Sequence, residues 1–195
     1  MPRYIVALTG ASGVIYGIKL TAELLSRGFE VHLISSDAAR LVIEQELSWV
    51  FESSLEATLS KYLPEGKLFL YANNAIASSI ASGSFLIDGM IIIPCTMATL
   101  SAVANGSSRS LLERAADVVL KEKRPLIIVP RETPLSSIHL KNMLTLSEMG
   151  VHIIPAMPAF YHKPQNIDDM VAFVVGKVLD AMHIQHDIFQ RYEQK

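Results

Sequence analysis

The chain has 195 residues, half of them hydrophobic and 18% charged, which is enough for one sizeable core and short for two. A net charge of -2 gives no general positive field for nucleic-acid phosphates, so small-molecule chemistry is the better expectation. The single cysteine, Cys95, excludes an internal disulfide and a multi-cysteine metal cluster, and it fits a reducing compartment with the cytoplasm as the default.

The chain opens into a strand-like run at 3–9, RYIVALT, without the basic segment, apolar core and cleavage site of an export signal. A helical pattern follows at 14–27, then a strand at 30–35, EVHLIS, and a helix at 37–48. Residues 49–88 show no clear periodicity, and 73–85, NNAIASSIASGSF, reads as a surface loop or a tight contact segment. The apolar stretch 86–104 is interrupted by Asp88, Gly89 and Pro94, so it reads as a buried strand at 89–93 feeding a helix at 96–104, not a membrane span. Helix 108–122, strand 125–129, helix 136–148, strand 151–154 and helix 167–182 complete the pattern. Short continuous apolar runs alternating with helices predict a single α/β domain over 1–195, doubly wound around a mainly parallel, Rossmann-like (flavodoxin-like) sheet. Its high apolar content also predicts large subunit interfaces.

In such a sheet, ligands sit beyond the carboxyl ends of the strands. The loops there read TGASG, SSDAAR, PCTMAT, PRETP and PAMPAFYHKP. Gly10, Gly13 and Gly17 do not have the G-x-G-x-x-G spacing of a dinucleotide fingerprint, and no P-loop lysine follows them. What remains is a small-residue turn, hydroxyls from Thr9 and Ser12, and a helix N-terminus whose free N–H groups favour an anion. A plain strand-to-helix turn fits this segment equally well. Ser36 and Thr96 stand at the same topological place and favour one shared site.

Glu46 and Glu132 are the acidic candidates; Glu132 directly follows a strand, beside Arg131 and between two prolines, a placement suited to proton transfer or anion contact. Arg114 and Lys121, seven residues apart, share a helix face that is either a solvated stripe or a phosphate contact. The six histidines lack H-E-x-x-H or Cys/His spacing, which predicts no metal site. Cys95 reads as buried and structural, and no G-x-S-x-G elbow supports serine hydrolase chemistry.

Four blocks in order, TGASGVIYGIKL, GMIIIPCTMATLSAVANG, LLERAADVVLKEKRPLIIVPRETPLSSIHLKNM and PAFYHKPQNIDDMVAFVVGKVLD, resemble the UbiX-type flavin prenyltransferases over nearly the whole chain. The resemblance implies a Rossmann-like fold, FMN binding and a homododecamer with active sites at subunit contacts. It implies metal-independent transfer of a dimethylallyl group from dimethylallyl monophosphate to N5 and C6 of reduced FMN, the product serving a UbiD-type decarboxylase. It sets FMN against Gly10, Ala11, Ser12, Ser36, the turn Thr96, Met97, Ala98 and Thr99, and Arg131. It sets Tyr161 and Lys177 on the dimethylallyl phosphate, with Arg114 and Lys121 as further cations. Ser12, Glu46 and Glu132 match polar catalytic positions, with Glu132 moving protons as the partner of Ser12.

Two positions depart from the family pattern. Lys177 often corresponds to arginine, so the charge stays and the bidentate fork is lost. Tyr192, in the final FQRYEQK, stands where some relatives have tryptophan. The rival readings are an FMN-dependent cysteine decarboxylase, whose P-A-S-A-N-T and M-N-x-x-M-W blocks are here PCTMAT and PRETPLSSIHLKNM, and a non-catalytic flavin carrier.

Overall fold

The apolar runs of the four central strands pair edge to edge and lie buried on both faces, as short continuous runs do in parallel sheets. The computed structural model describes residues 1–52 and 54–192. Its strands are β1 (Arg3–Leu8), β2 (Glu30–Ser35), β3 (Leu68–Ala72), β4 (Gly89–Cys95), β5 (Leu126–Pro130) and β6 (His152–Ile153). They form one all-parallel sheet in the order β3-β2-β1-β4-β5-β6, so the order reverses between β1 and β4. The expected doubly wound α/β fold is therefore present.

The sheet's pleat sends alternate residues into two cores. Val6, Leu8, Leu33, Ile91, Ile93 and Val129 face α1 (Val14–Ser26), α2 (Asp37–Leu47), α3 (Leu55–Tyr62) and α7 (Ile167–Ala181). Ile5, Ala7, Ile34, Ile92 and Ile128 face α4 (Met97–Ala104), α5 (Leu111–Lys121) and α6 (Ser137–Glu148). Each such buried side chain contributes about 1.5–3 kcal/mol relative to exposure.

Helices α2 to α7 begin on Ser36, Ser54, Thr96, Ser110, Ser136 and Asn166, whose side chains each accept a backbone N–H of the first turn. Helix α1 starts differently, on Gly13 in the left-handed region with φ 94°. A turn later, Gly17 lets α1 lie directly on the sheet: a Cβ there would collide with the Ile93 carbonyl oxygen and the Leu8 side chain.

Two elements fall inside the stretch that shows no sequence periodicity. Strand β3 is a half-exposed edge strand, and α3 is a two-turn helix burying Thr58 and Leu59. Residues 73–85 are a contact segment: the Asn73 carbonyl and Oδ1 accept the Leu111 and Leu112 N–H groups at 2.8 and 3.0 Å, fastening the start of α5.

Candidate active site

The carboxyl ends of the central strands are tied together by short polar links. Thr9 Oγ1 donates to the Pro94 carbonyl at 2.7 Å and accepts the Thr96 N–H at 3.0 Å, locking the ends of β1 and β4 to one another. The Ser36 N–H donates to the Leu8 carbonyl at 3.1 Å, and the Arg131 N–H to the Cys95 carbonyl at 3.2 Å. Four sequence-expected loops, after β1, β2, β4 and β5, are thus held side by side at the point where the strand order reverses, the position at which open α/β sheets bind ligands.

The turn Gly10-Ala11-Ser12-Gly13 leaves β1 with Gly10 against the Cβ of Ala38 at the start of α2 and Ala11 buried. Ser12 is exposed. Ser36 and Thr96 spend their hydroxyl acceptors on capping, taking Ala39 N–H at 3.1 Å and Thr99 N–H at 3.2 Å. Thr96 Oγ1 also lies 3.0 Å from Thr99 Oγ1. Helix α4, with Met97 buried and Ala98 exposed in its first turn, has no acidic residue there. Its N-terminal dipole stands uncompensated at the site.

At α1 the structure corrects the expectation of a free anion-binding helix start. Glu46 Oε2, from α2, accepts the N–H groups of Gly13 at 2.8 Å and Val14 at 3.3 Å. A carboxylate of the protein supplies the charge that a ligand anion was expected to bring, and it does for α1 what a Ser or Asp N-cap does elsewhere. Burial, followed by the Glu46 charge, pushes the nearby Tyr16 hydroxyl above its ordinary pKa.

Arg131 reaches across from the end of β5, its Nε donating to the Ser12 carbonyl at 3.2 Å. Among the described residues its Nη atoms make no hydrogen bond, which leaves two guanidinium donors beside the glycine turn. Glu132 Oε1 accepts the N–H of its own neighbour Thr133 at 3.0 Å. Ser12 is thus joined through its backbone to Arg131, the residue that precedes its expected partner Glu132 in the chain. Both Arg131 and Glu132 line a cavity of about 250 Å³ whose other walls include Leu135, Met143, Ala156 and Met157. A carboxylate and a guanidinium on the rim of an apolar hollow are suited to a flat, partly charged ligand.

The remaining cations lie elsewhere in the chain. Arg114, in the second turn of α5, pairs with Asp117 at 2.8 Å. Lys121, at the far end of that helix, pairs with Glu122 beside Gly83, toward the amino end of the sheet. The two share a helix face, yet Lys121 is removed from the carboxyl-end loops of its own chain. Tyr161 lies on the outer flank of α7, its ring 5.8 Å from Phe173 and 5.6 Å from Tyr192. Lys177, one turn beyond Phe173, is 3.5 Å from Asp180. Sequence reasoning missed that Asp180 also holds His186 and Arg191; their distance along the chain conceals the cluster.

Cys95 is fully buried, and burial pushes its thiol well up, so it is no nucleophile. Among the described residues no group of three or more His, Cys, Asp or Glu is placed to hold a metal ion, and no helix is long and apolar enough to cross a membrane.

Comparison with known proteins agrees with this architecture. The Flavoprotein family model matches residues 1–179. A flavin prenyltransferase UbiX from Alkalihalophilus pseudofirmus is 51% identical over 189 residues, covering 96% of this chain and 94% of its own. AnUbiX (PadA1), solved in complex with FMN and dimethylallyl pyrophosphate, superposes with a TM-score of 0.89 at 38% identity, over 100% of this chain and 98% of its own. A dodecameric FMN-dependent UbiX-like decarboxylase from Escherichia coli gives 0.88 at 42% identity, over 98% of this chain and 100% of its own. The chain thus belongs to the Flavoprotein family and, within it, to the UbiX flavin prenyltransferases.

Proposed function

We propose that this enzyme joins the dimethylallyl group of dimethylallyl monophosphate to reduced FMN, at the loops around Ser12, Arg131 and Glu132. Reduced FMN supplies the nucleophilic N5 and C6 atoms. In the net reaction the bond from the allylic carbon to the phosphate oxygen breaks, and phosphate leaves with the electron pair. The N5 proton is given up as the first bond forms. Closing the ring at C6 moves one proton from C6 to the prenyl group.

The residues fit a flavin mononucleotide. Arg131 offers free guanidinium donors to an anion, and the α4 start from Thr96 to Thr99 adds a helix N-terminus without a competing acid. Gly10, Ala11 and Ser12 form a low wall that an aromatic ring system can approach, with Ser36 at its side. The apolar cavity beside Glu132 suits the prenyl group. Glu132 is the proton carrier at N5 and C6, since its carboxylate is exposed and, among the described residues, accepts only a neighbouring backbone N–H. Glu46 acts by holding the glycine turn through Gly13 and Val14, so that Ser12 stays presented.

Departure of phosphate needs positive charge, which protein cations supply in a metal-independent site. Tyr161 and Lys177 bind the phosphate in this reading. Assembly into a dodecamer, with the active site at subunit contacts, would bring Arg114 and Lys121 of a neighbouring copy to it. The product then goes to a UbiD-type decarboxylase, and the cytoplasm is the expected compartment.

The observation that carries this reading is the Arg131–Glu132 pair on the rim of an apolar cavity beside the glycine turn. Anaerobic incubation with reduced FMN and dimethylallyl monophosphate tests it. The flavin should gain the mass of C5H8, and an unchanged flavin mass overturns the proposal.

A further inference from the structure

The segment after α7 folds back along that helix and is docked on a notch. A Cβ at Gly176 would collide with the Phe189 ring, so only glycine lets Phe189 settle on the helix backbone. Phe189 also lies 5.1 Å from Phe173, the ring against which Tyr161 packs at 5.8 Å. Tyr192 closes on Tyr161 from the other side, at 5.6 Å. The fold-back is thereby seated against both Tyr161 and the helix that carries Lys177.

This seating brings a second permanent cation to the same place. Arg191 grips Asp180 with both Nη atoms, at 2.7 and 3.2 Å, and Lys177 Nζ lies 3.5 Å from Asp180 Oδ2. His186 Nε2, on a side chain with no exposed surface, lies 3.0 Å from Asp180 Oδ1. One carboxylate balances two permanent cations, so the cluster carries a net positive charge. Among the described residues the arginine places two N–H donors on Asp180, with Nη2 also 3.4 Å from His186 Nε2, and the lysine places one of its three there, so both keep donors over, and both side chains are about half exposed. The hydroxyl of Tyr161 makes no hydrogen bond among the described residues. Donors from a tyrosine, a lysine and an arginine therefore stand open to one anion.

Resting on the reading that Tyr161 and Lys177 bind the donor phosphate, we propose that Arg191 is a third phosphate ligand and that Asp180 is the positioning residue for both cations. The planar guanidinium then returns, from the end of the chain, the fork that a lysine at 177 cannot supply. Asp180 keeps the two cations from repelling one another before substrate arrives. The hydrogen bond from Arg191 holds the Asp180 carboxyl below its ordinary range, so it remains charged at neutral pH.

The test compares wild type with Arg191→Ala, Arg191→Lys, Asp180→Asn and Phe189→Ala, each loaded with FMN. Arg191→Ala should raise KM for dimethylallyl monophosphate by about 10–100-fold, the loss of one charge-assisted contact, with a smaller change in kcat. Arg191→Lys should recover part of this, Asp180→Asn should raise KM less, and Phe189→Ala should mimic Arg191→Ala because it undocks the fold-back without removing a charge. FMN affinity, read by flavin fluorescence, should be unchanged in all four.

Calorimetric titration with inorganic phosphate reads the same site without turnover: wild type should bind it, and Arg191→Ala should bind it at least tenfold more weakly. Equal phosphate affinity in wild type and Arg191→Ala overturns the inference even if wild type transfers the prenyl group. A wild type that binds phosphate through Arg191 yet never prenylates FMN overturns the functional reading and leaves the anion site standing.

Discussion

Toward the amino end of the sheet, a histidine, a glutamate and a tyrosine satisfy one another; at the carboxyl end polar groups are held in place with donors to spare. Arg3 Nε lies 2.5 Å from Glu30 Oε1, and the same oxygen is 2.9 Å from His32 Nε2. His32 Nδ1 is 2.9 Å from the Tyr71 hydroxyl, while the ring stacks on Phe69 with centroids 5.0 Å apart. Each member has a partner, the histidine is buried, and the network ties β1, β2 and β3 together. At the other end, among the described residues, Arg131 spends one N–H on the Ser12 carbonyl and Glu132 accepts only its neighbour's N–H. A closed polar network stabilises a fold, whereas an open one keeps binding capacity for a ligand. Changes at the carboxyl end should therefore cost activity, and changes at the amino end should cost stability.

The largest expected effect is on catalysis alone. Glu132→Gln should bind FMN and melt as wild type does, yet lose about 10²- to 10⁴-fold in turnover, measured by flavin mass in single-turnover reactions. Full activity in that variant removes Glu132 from the mechanism. Next, Gly17→Val attacks the contact on which the two properties meet, because α1 presents the glycine turn and rests on β1 and β4. Overpacking there should cost about 3 kcal/mol in urea unfolding and weaken FMN binding with it. An unchanged unfolding midpoint would mean that α1 does not sit so close.

The amino-end network predicts a pH dependence. Burial pushes His32 below its ordinary value, and the hydrogen bond from His32, then Arg3, holds Glu30 below the usual carboxylate range. The unfolded chain therefore binds more protons than the folded one in both windows. Stability should be full above about pH 6.5, fall as pH drops toward the folded value of His32, and fall again below about pH 4.3 as Glu30 protonates. Melting temperatures between pH 7 and 5 check this, and His32→Gln should flatten the first step; an unaltered slope refutes the assignment. The smallest effect expected is for Glu46→Ala, which uncaps α1 and should cost about 1 kcal/mol by urea denaturation. Prenyl transfer should fall with it, because the turn that presents Ser12 loses its carboxylate cap, and an unchanged unfolding midpoint would refute the cap.

Much of this was legible in the chain itself. Runs such as Ile91–Ile92–Ile93 and Ile127–Ile128–Val129 can be buried only on two faces, which dictates parallel strands and puts the loops after them at one end. Ser36, Thr96 and Ser136 announce helix starts by their chemistry. Strand β3 escaped because Leu68–Phe–Leu–Tyr is an edge strand, half exposed and short, although Gly66 and Asn73 bracket it as turn residues. Helix α3 carried a weaker signal, Ser54 followed by Leu55 and Leu59 on one face, and two turns are too few to establish a period.

What the sequence by itself determined is the fold class, the loops that line the site and the residue types available there, because periodicity and capping are local properties of the chain. Only the tertiary structure decided who meets whom. Glu46 caps α1, Arg131 reaches the Ser12 carbonyl, Lys121 lies at the opposite end of the sheet from the glycine turn, and Arg191 joins Lys177 on Asp180. These pairings depend on how helices lie on the sheet and where a chain end folds back, and such contacts between distant residues leave no mark on spacing along the sequence.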